Sequence, residues 1–163
     1  LVGALARPVG GWLADRLGGA RVTLWNFAAM AAFAAGVLAF LPRGGEPGSF
    51  PGFLALFLLL FATSGIGNGS TFRMITLHER RAGADPGAIA LARRDAAKES
   101  AAVIGFSSAV AAYGAFFVPR AFGASMSATG SPAAAFVGFI VVYSSCIAVT
   151  WWIYARRGAE LPC

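Results

Sequence analysis

Charged and reactive residues are scarce in this sequence. Only 12% of its 163 residues are charged, about half the share typical of a soluble domain. Two cysteines exclude a disulfide framework, and the one histidine, His78, lies in a polar stretch without companion metal ligands. No Ser-His-Asp, Cys-His or paired-carboxylate arrangement occurs, so the sequence offers no enzyme site and implies no cofactor or metal.

Long apolar runs take up most of the chain. Apolar residues make up 58% of it, and a membrane span needs about 20 of them in succession. Four stretches meet this requirement, and the first fourteen residues look like the second half of a fifth span. The predicted fold is an all-α polytopic membrane protein with spans at 1–14 (partial), 22–41, 53–74, 100–118 and 133–155. Core helices of a soluble protein would need polar faces, which these runs lack.

The segments between the spans carry turn residues or charge. Residues 42–49 and 119–132 are rich in proline, glycine and serine and are predicted to be linkers. Residues 76–99 form the longest polar stretch and are predicted to be a cytoplasmic loop. Its second part, 88–99, is predicted to be a short helix lying at the membrane interface.

The basic residues fall mainly on one side of the predicted membrane. The net charge is +6, which by itself would permit nucleic-acid binding. Alternating spans place ten cations on one side, two on the other, and Arg7 within a span. The excess of basic residues on one side therefore predicts the orientation of the chain in the cell (inner) membrane, with its C-terminus on the cytoplasmic side. Nucleic acid is not expected as a partner.

Arg7 is the most informative residue because it lies inside an apolar run. If the first span ends near Asp15, Arg7 is about 12 Å deep, at 1.5 Å per residue. An arginine near the midplane costs about 2.5–3.5 kcal/mol on insertion scales, so it should face the bundle interior and a partner. Helix carbonyls or a carboxylate would satisfy it structurally. We favour a substrate role, because a planar fork of donors suits a small planar oxyanion and not a sugar or a cation.

Two other spans carry small and polar residues at helical spacing. Gly65 and Gly69 are spaced for close helix packing, while Ser64, Asn68 and Phe72 share another face that would line a cavity. In the fourth span, Gly105 and Ser108 belong to a stripe of small residues. Ser108 lies about 12 Å from the Ser100 end, the same depth as Arg7. Packing and solute contact both remain open for this stripe.

Four motifs together resemble the nitrate/nitrite porters of the major facilitator superfamily. GWLADRLGGAR at 11–21 resembles the cytoplasmic signature loop of that superfamily. ARPVGG at 6–11, GIGNGSTF at 65–72 and GFSSAVAAYGAFF at 105–117 resemble segments of the nitrate/nitrite porters, the last being like their second nitrate signature. The resemblance covers essentially the whole chain.

The resemblance implies a partial facilitator bundle, about helices 8–12 of 12. Arg7 would grip the anion together with an arginine on the missing N-terminal half, and Phe72 would pack against the flat anion. Further positions near the pathway would be Asn68, Gly105, Ser108 and Gly114. The loop residues Asp15, Arg16 and Arg21 would help to gate the cytoplasmic side.

The sequence thus predicts the C-terminal part of a secondary transporter for nitrate/nitrite that works by alternating access in a lipid bilayer. No Asp, Glu, His or Lys lies in the predicted spans, which favours anion exchange over proton symport. The alternatives are a facilitator-type transporter for another organic anion or drug, and a truncated membrane fragment without transport activity. The chain lacks an initiator methionine and opens inside an apolar segment, so we interpret it as a fragment that does not transport alone.

Overall fold

A computed structural model describes residues 1–42, 48–77 and 86–156, with the side chains of 72–77, 86–97, 99 and 100 outside this description. All secondary structure in the described part is helical. The five helices are α1 (Val2–Leu17), α2 (Gly19–Phe40), α3 (Phe50–Leu77), α4 (Pro86–Thr129) and α5 (Ala133–Thr150). A short π-helical segment, Trp151–Ala155, continues α5.

Four of the described helices are long and apolar enough to cross a membrane. The qualifying stretches are Gly19–Phe40, Phe50–Thr71, Ala101–Thr129 and Ala133–Ala155. The predicted all-α membrane architecture is therefore confirmed at the level of fold class. α1 has 16 residues, which is shorter than a complete span.

The centre of the described bundle is α2, which packs against α1, α3 and α5. Gly18 alone separates α1 from α2 and has a φ of 89°, a left-handed conformation that favours glycine. At the far end of α2, Ala34 and Val37 form a buried cluster with Phe136 of α5. Consequently α1, α3 and α5 all run toward the Gly18 end of the bundle, and α2 runs away from it.

The structure corrects two predicted boundaries in α4. The predicted linker at 119–132 is wrong over most of its length, because α4 continues through Pro119 to Thr129. The turn is confined to 130–132, where Gly130 has a φ of 67°. The predicted interface helix at 88–99 is not a separate element, since its backbone is the first part of α4.

The predicted polar loop is also shorter than expected. Its residues 76–77 end α3, and residues 86–99 belong to α4. The remainder, 78–85, lies outside the described residues.

Candidate functional site

The closest helix packing in the molecule joins α1 to α3 along a line of glycines. A Cβ on Gly10 would lie 2.7 Å from the Ile66 Cα, and a Cβ on Gly65 would lie 2.9 Å from the Ala6 Cβ and would also collide with the Gly3 carbonyl oxygen. The backbones approach this closely because neither helix presents bulk there. The predicted packing role of Gly65 is confirmed, and we call this contact the glycine seam.

Arg7 lies at the border of the glycine seam. Its backbone oxygen is so close to Gly69 that a Cβ on that glycine would collide with it, which confirms the packing role of Gly69. The Arg7 side chain is exposed. Gly3, Ala6 and Gly10 occupy the face of α1 that packs against α3, so Arg7 lies on another face, and a partner for it in the interior of the complete bundle stays a prediction.

The seam fixes the register of the predicted site residues on α3. Because Arg7 is opposite Gly69, Asn68 lies at the same level along the bundle axis. Asn68 is half-buried. The backbone of Phe72 follows three residues after Gly69, about 4.5 Å nearer the Gly18 end, and its side chain lies outside the described residues.

The predicted site residues of α4 remain separate from Arg7. Ser108 is exposed, and nothing lies within 4 Å of a Cβ built on Gly105 or Gly114. None of the most apolar window of Ala101–Thr129 is buried. The stripe of small residues therefore packs against no described helix, and the structure leaves this face of α4 uncovered.

The predicted gating residues surround the turn between α1 and α2. Asp15, Arg16 and Arg21 are all exposed. The Arg16 guanidinium carbon lies 4.2 Å from the ring centre of Trp12, which is within the range of a cation–π contact. Arg16 therefore stacks on its own helix in this conformation.

A buried polar cluster between α2 and α3 was missed by the sequence analysis. The hydroxyls of Thr23 and Ser70 lie 2.9 Å apart, and both residues are buried. Asn26 is also buried; it donates from Nδ2 to the Met30 sulfur at 3.5 Å. A Cβ on Gly67 would lie 2.5 Å from that Asn26 nitrogen. The available signal was the pair of polar residues three positions apart in an otherwise apolar span.

A cavity of about 490 Å³ lies between α2, α3, α4 and α5, away from Arg7. Ser64 borders it, as its predicted face suggested, but Asn68 does not. Ser64 and Tyr143 carry the only hydroxyl groups of its lining, and no lining side chain is charged. The lining residues are Met30, Ala34, Phe57, Leu60, Phe61, Ser64, Val118, Phe122, Phe136, Phe139, Val142 and Tyr143. Such an apolar space does not suit a small hydrated anion.

The described side chains include no group of three or more His, Cys, Asp or Glu residues that would hold a metal ion.

Comparison with known proteins finds relatives that are named for nitrate and nitrite transport. The nitrate/nitrite transporters NarU of Salmonella typhimurium and of Escherichia coli strain K12 are each 45% identical to this chain over 96% of its length. The probable nitrate/nitrite antiporter NarK2 of Thermus thermophilus is 38% identical over the whole chain. No family model matches the sequence. The resemblance to nitrate/nitrite porters is confirmed.

The chain spans about a third of the length of these relatives, since the alignments cover 35% of each NarU protein and 33% of NarK2.

Proposed function

We propose that this chain is part of a transporter that moves nitrate and nitrite across the membrane, and that Arg7 binds the anion. The observation that carries this proposal is an exposed arginine side chain on an apolar helix whose backbone is held in place by the glycine seam. The similarity to named nitrate/nitrite transporters over 96% of the chain supports the choice of anion.

The chemistry of Arg7 fits a small planar oxyanion. A guanidinium group stays charged and presents its donors in a plane, so it can donate two parallel hydrogen bonds to two oxygens of nitrate or nitrite. Its position in a membrane helix costs about 2.5–3.5 kcal/mol without a partner. A bound anion, or an acceptor from the rest of the transporter, offsets this cost.

The register across the glycine seam supports roles for two α3 residues. Asn68, level with Arg7, would donate a hydrogen bond from its amide, and Phe72, less than one turn away, would provide a flat and weakly hydrated wall. The uncovered face of α4 would supply Ser108 from the opposite side, with Gly105 and Gly114 leaving room for the anion or for a neighbouring helix.

Alternating access would then follow from rocking of this part against the missing N-terminal half. Asp15, Arg16 and Arg21 would open and close the cytoplasmic side, with the C-terminus in the cytoplasm of the cell. Anion exchange is favoured over proton symport because the predicted spans hold no acid, histidine or lysine for a proton relay.

Competition in proteoliposomes tests the substrate class. The full-length protein that contains this chain would be reconstituted and loaded with nitrite, and uptake of labelled nitrate would be measured. We expect external nitrite to inhibit uptake, whereas bulky carboxylates at the same concentration do not. Inhibition by the carboxylates without inhibition by nitrite would identify a transporter for larger organic anions. The absence of any anion-dependent flux would favour a membrane piece without transport activity.

A further inference from the structure

All four tryptophans of the chain lie near the Gly18 end of the bundle. They are Trp12, Trp25, Trp151 and Trp152, and between 51% and 73% of each side chain is exposed. Trp12 lies six residues before Gly18 and Trp25 seven residues after it, so both rings are about 10 Å from the turn. The last two follow α5, whose π-helical segment contacts α2. Indole rings at one level are typical of a membrane–water interface.

An arginine accompanies a tryptophan at a spacing of four residues on each of these three helices. The pairs are Trp12 with Arg16, Trp25 with Arg21, and Trp152 with Arg156. The chain direction of α2 is opposite to that of α1 and α5, and the order of the pair in the sequence is reversed there as well. The arginine is therefore on the outer side of its tryptophan in all three pairs. We call these six residues the Trp–Arg surface.

Two of the pairs are in direct contact. The guanidinium carbon of Arg16 lies 4.2 Å from the ring centre of Trp12. The guanidinium carbon of Arg156 lies 4.5 Å from the ring centre of Trp152. Stacking over the ring holds a guanidinium in place, yet its N–H donors point outward in the plane of the group. Arg16 is exposed, so an acceptor such as a phosphate oxygen can approach it from the side. Arg156 is half-buried, and its Nε has no hydrogen-bond partner among the described residues.

We propose that the Trp–Arg surface binds the headgroups of anionic phospholipids in the leaflet at the Gly18 end. The indole rings would lie at the glycerol level, and the arginines, about 6 Å further out on α1 and α2, would reach the phosphates. Charge complementarity supports this partner, because three arginines face one acidic side chain, Asp15, among the described side chains. The opposite end of the bundle carries Arg120, and none of the four tryptophans of the chain lies there.

This inference does not depend on the transported substrate. Nitrate transport would fail without an anion site, whereas lipid binding at this surface requires only the three pairs. The two proposals can therefore be contradicted separately, by a flux measurement in one case and a lipid titration in the other.

A lipid titration of thermal unfolding tests the proposal. The full-length protein that contains this chain would be heated in neutral detergent with increasing phosphatidylglycerol or phosphatidylcholine. We expect phosphatidylglycerol to raise the unfolding midpoint at the lower concentration. The variant with Arg16→Gln and Arg156→Gln should need more phosphatidylglycerol, by about fivefold for each arginine. Arg120→Gln at the other end is the matched control and should leave the titration unchanged.

Three results would overturn the proposal. They are equal potency of the two lipids on the wild-type protein, an equal loss of lipid response in Arg120→Gln, and the same stabilisation by inorganic phosphate alone.

A second measurement keeps the test independent of variant folding. In the wild-type protein, phosphatidylglycerol brominated near the headgroup should quench tryptophan fluorescence more strongly than brominated phosphatidylcholine. Replacing Trp12 and Trp152 with Phe should remove most of that difference. Equal quenching by the two lipids would contradict a preference for anionic headgroups.

Discussion

The hydroxyl pair of Thr23 and Ser70 shows how single residues fix the geometry of this bundle. The Ser70 hydroxyl donates to the Gly67 carbonyl at 3.0 Å, and it lies 2.9 Å from the Thr23 hydroxyl, within hydrogen-bond distance. Ser70 is completely buried. In an apolar interface this bond specifies one register of α2 against α3.

A double-mutant cycle on this pair should reveal a coupling. Ser70→Ala and Thr23→Val each remove one partner of the same hydroxyl contact, so the combined loss should be smaller than the sum of the single losses. We expect a coupling of about 0.6–2 kcal/mol from unfolding in detergent. Ser144→Ala is the control, because this exposed hydroxyl donates to the Ile140 carbonyl of its own helix. Strictly additive losses would contradict an interhelical bond.

At the scale of elements, the glycine seam determines the position of α1 against α3, and with it the position of Arg7. Gly10→Ala would place a Cβ 2.7 Å from the Ile66 Cα, and a backbone atom cannot move aside as a side-chain end can. We expect this substitution to destabilise the protein by about 1–3 kcal/mol, measured by thermal unfolding, and to lower nitrate affinity by displacing α1.

Gly138→Ala on α5 is the matched control for the seam. Nothing lies within 4 Å of a Cβ at that position, so the better helix propensity of alanine should stabilise the protein by up to about 1 kcal/mol. If both alanine variants unfold at the same temperature, the close α1–α3 contact is not present in the protein.

The sequence predicted the helices better than their ends. Charge-free runs revealed the spans because apolar length is a property of the local sequence. The end of α4 was missed because Pro119 and the glycines near it are turn signals, yet a membrane helix can contain a proline when its freed carbonyl finds another partner. The turn lies at the end of the predicted linker 119–132, at Gly130, whose positive φ excludes a continuing helix.

Side-chain partners were less predictable than helices. Helical spacing grouped Asn68 with Phe72, but which face of α3 meets α2 depends on packing between distant segments, and there Ser70 and Gly67 make the contact. The depth of Arg7, obtained by counting residues, stays a prediction. The sequence did not reveal that Gly3, Ala6 and Gly10 form the face of α1 that packs against α3, because this depends on contacts between distant segments.

At the scale of the whole molecule, the uncovered face of α4 and the exposed Arg7 share one explanation under the proposed function. Both would face a central pathway that a further part of the transporter completes, in agreement with relatives about three times as long as this chain. Ser108 and Arg7 would then approach the anion from different sides.

Exchange would require a counter-anion and no proton gradient. In proteoliposomes of the full-length protein, nitrate uptake should depend on nitrite or nitrate inside the vesicles and should persist when a protonophore collapses the pH gradient. The physical reason is the absence of a titratable relay group in the predicted spans. Uptake into vesicles without an internal anion, abolished by the protonophore, would identify proton symport instead.

The most direct measurement of the central claim is nitrate uptake by the Arg7→Lys variant of the full-length protein. Lysine keeps the charge but cannot make the two-pronged contact, and a hydrogen bond to a charged group is worth about 1.5–3 kcal/mol. The account predicts a loss of uptake of about tenfold or more, while Arg120→Lys retains wild-type uptake and both variants are inserted at equal levels. Wild-type uptake by the Arg7→Lys variant would contradict the assignment of Arg7 as the ligand of the anion.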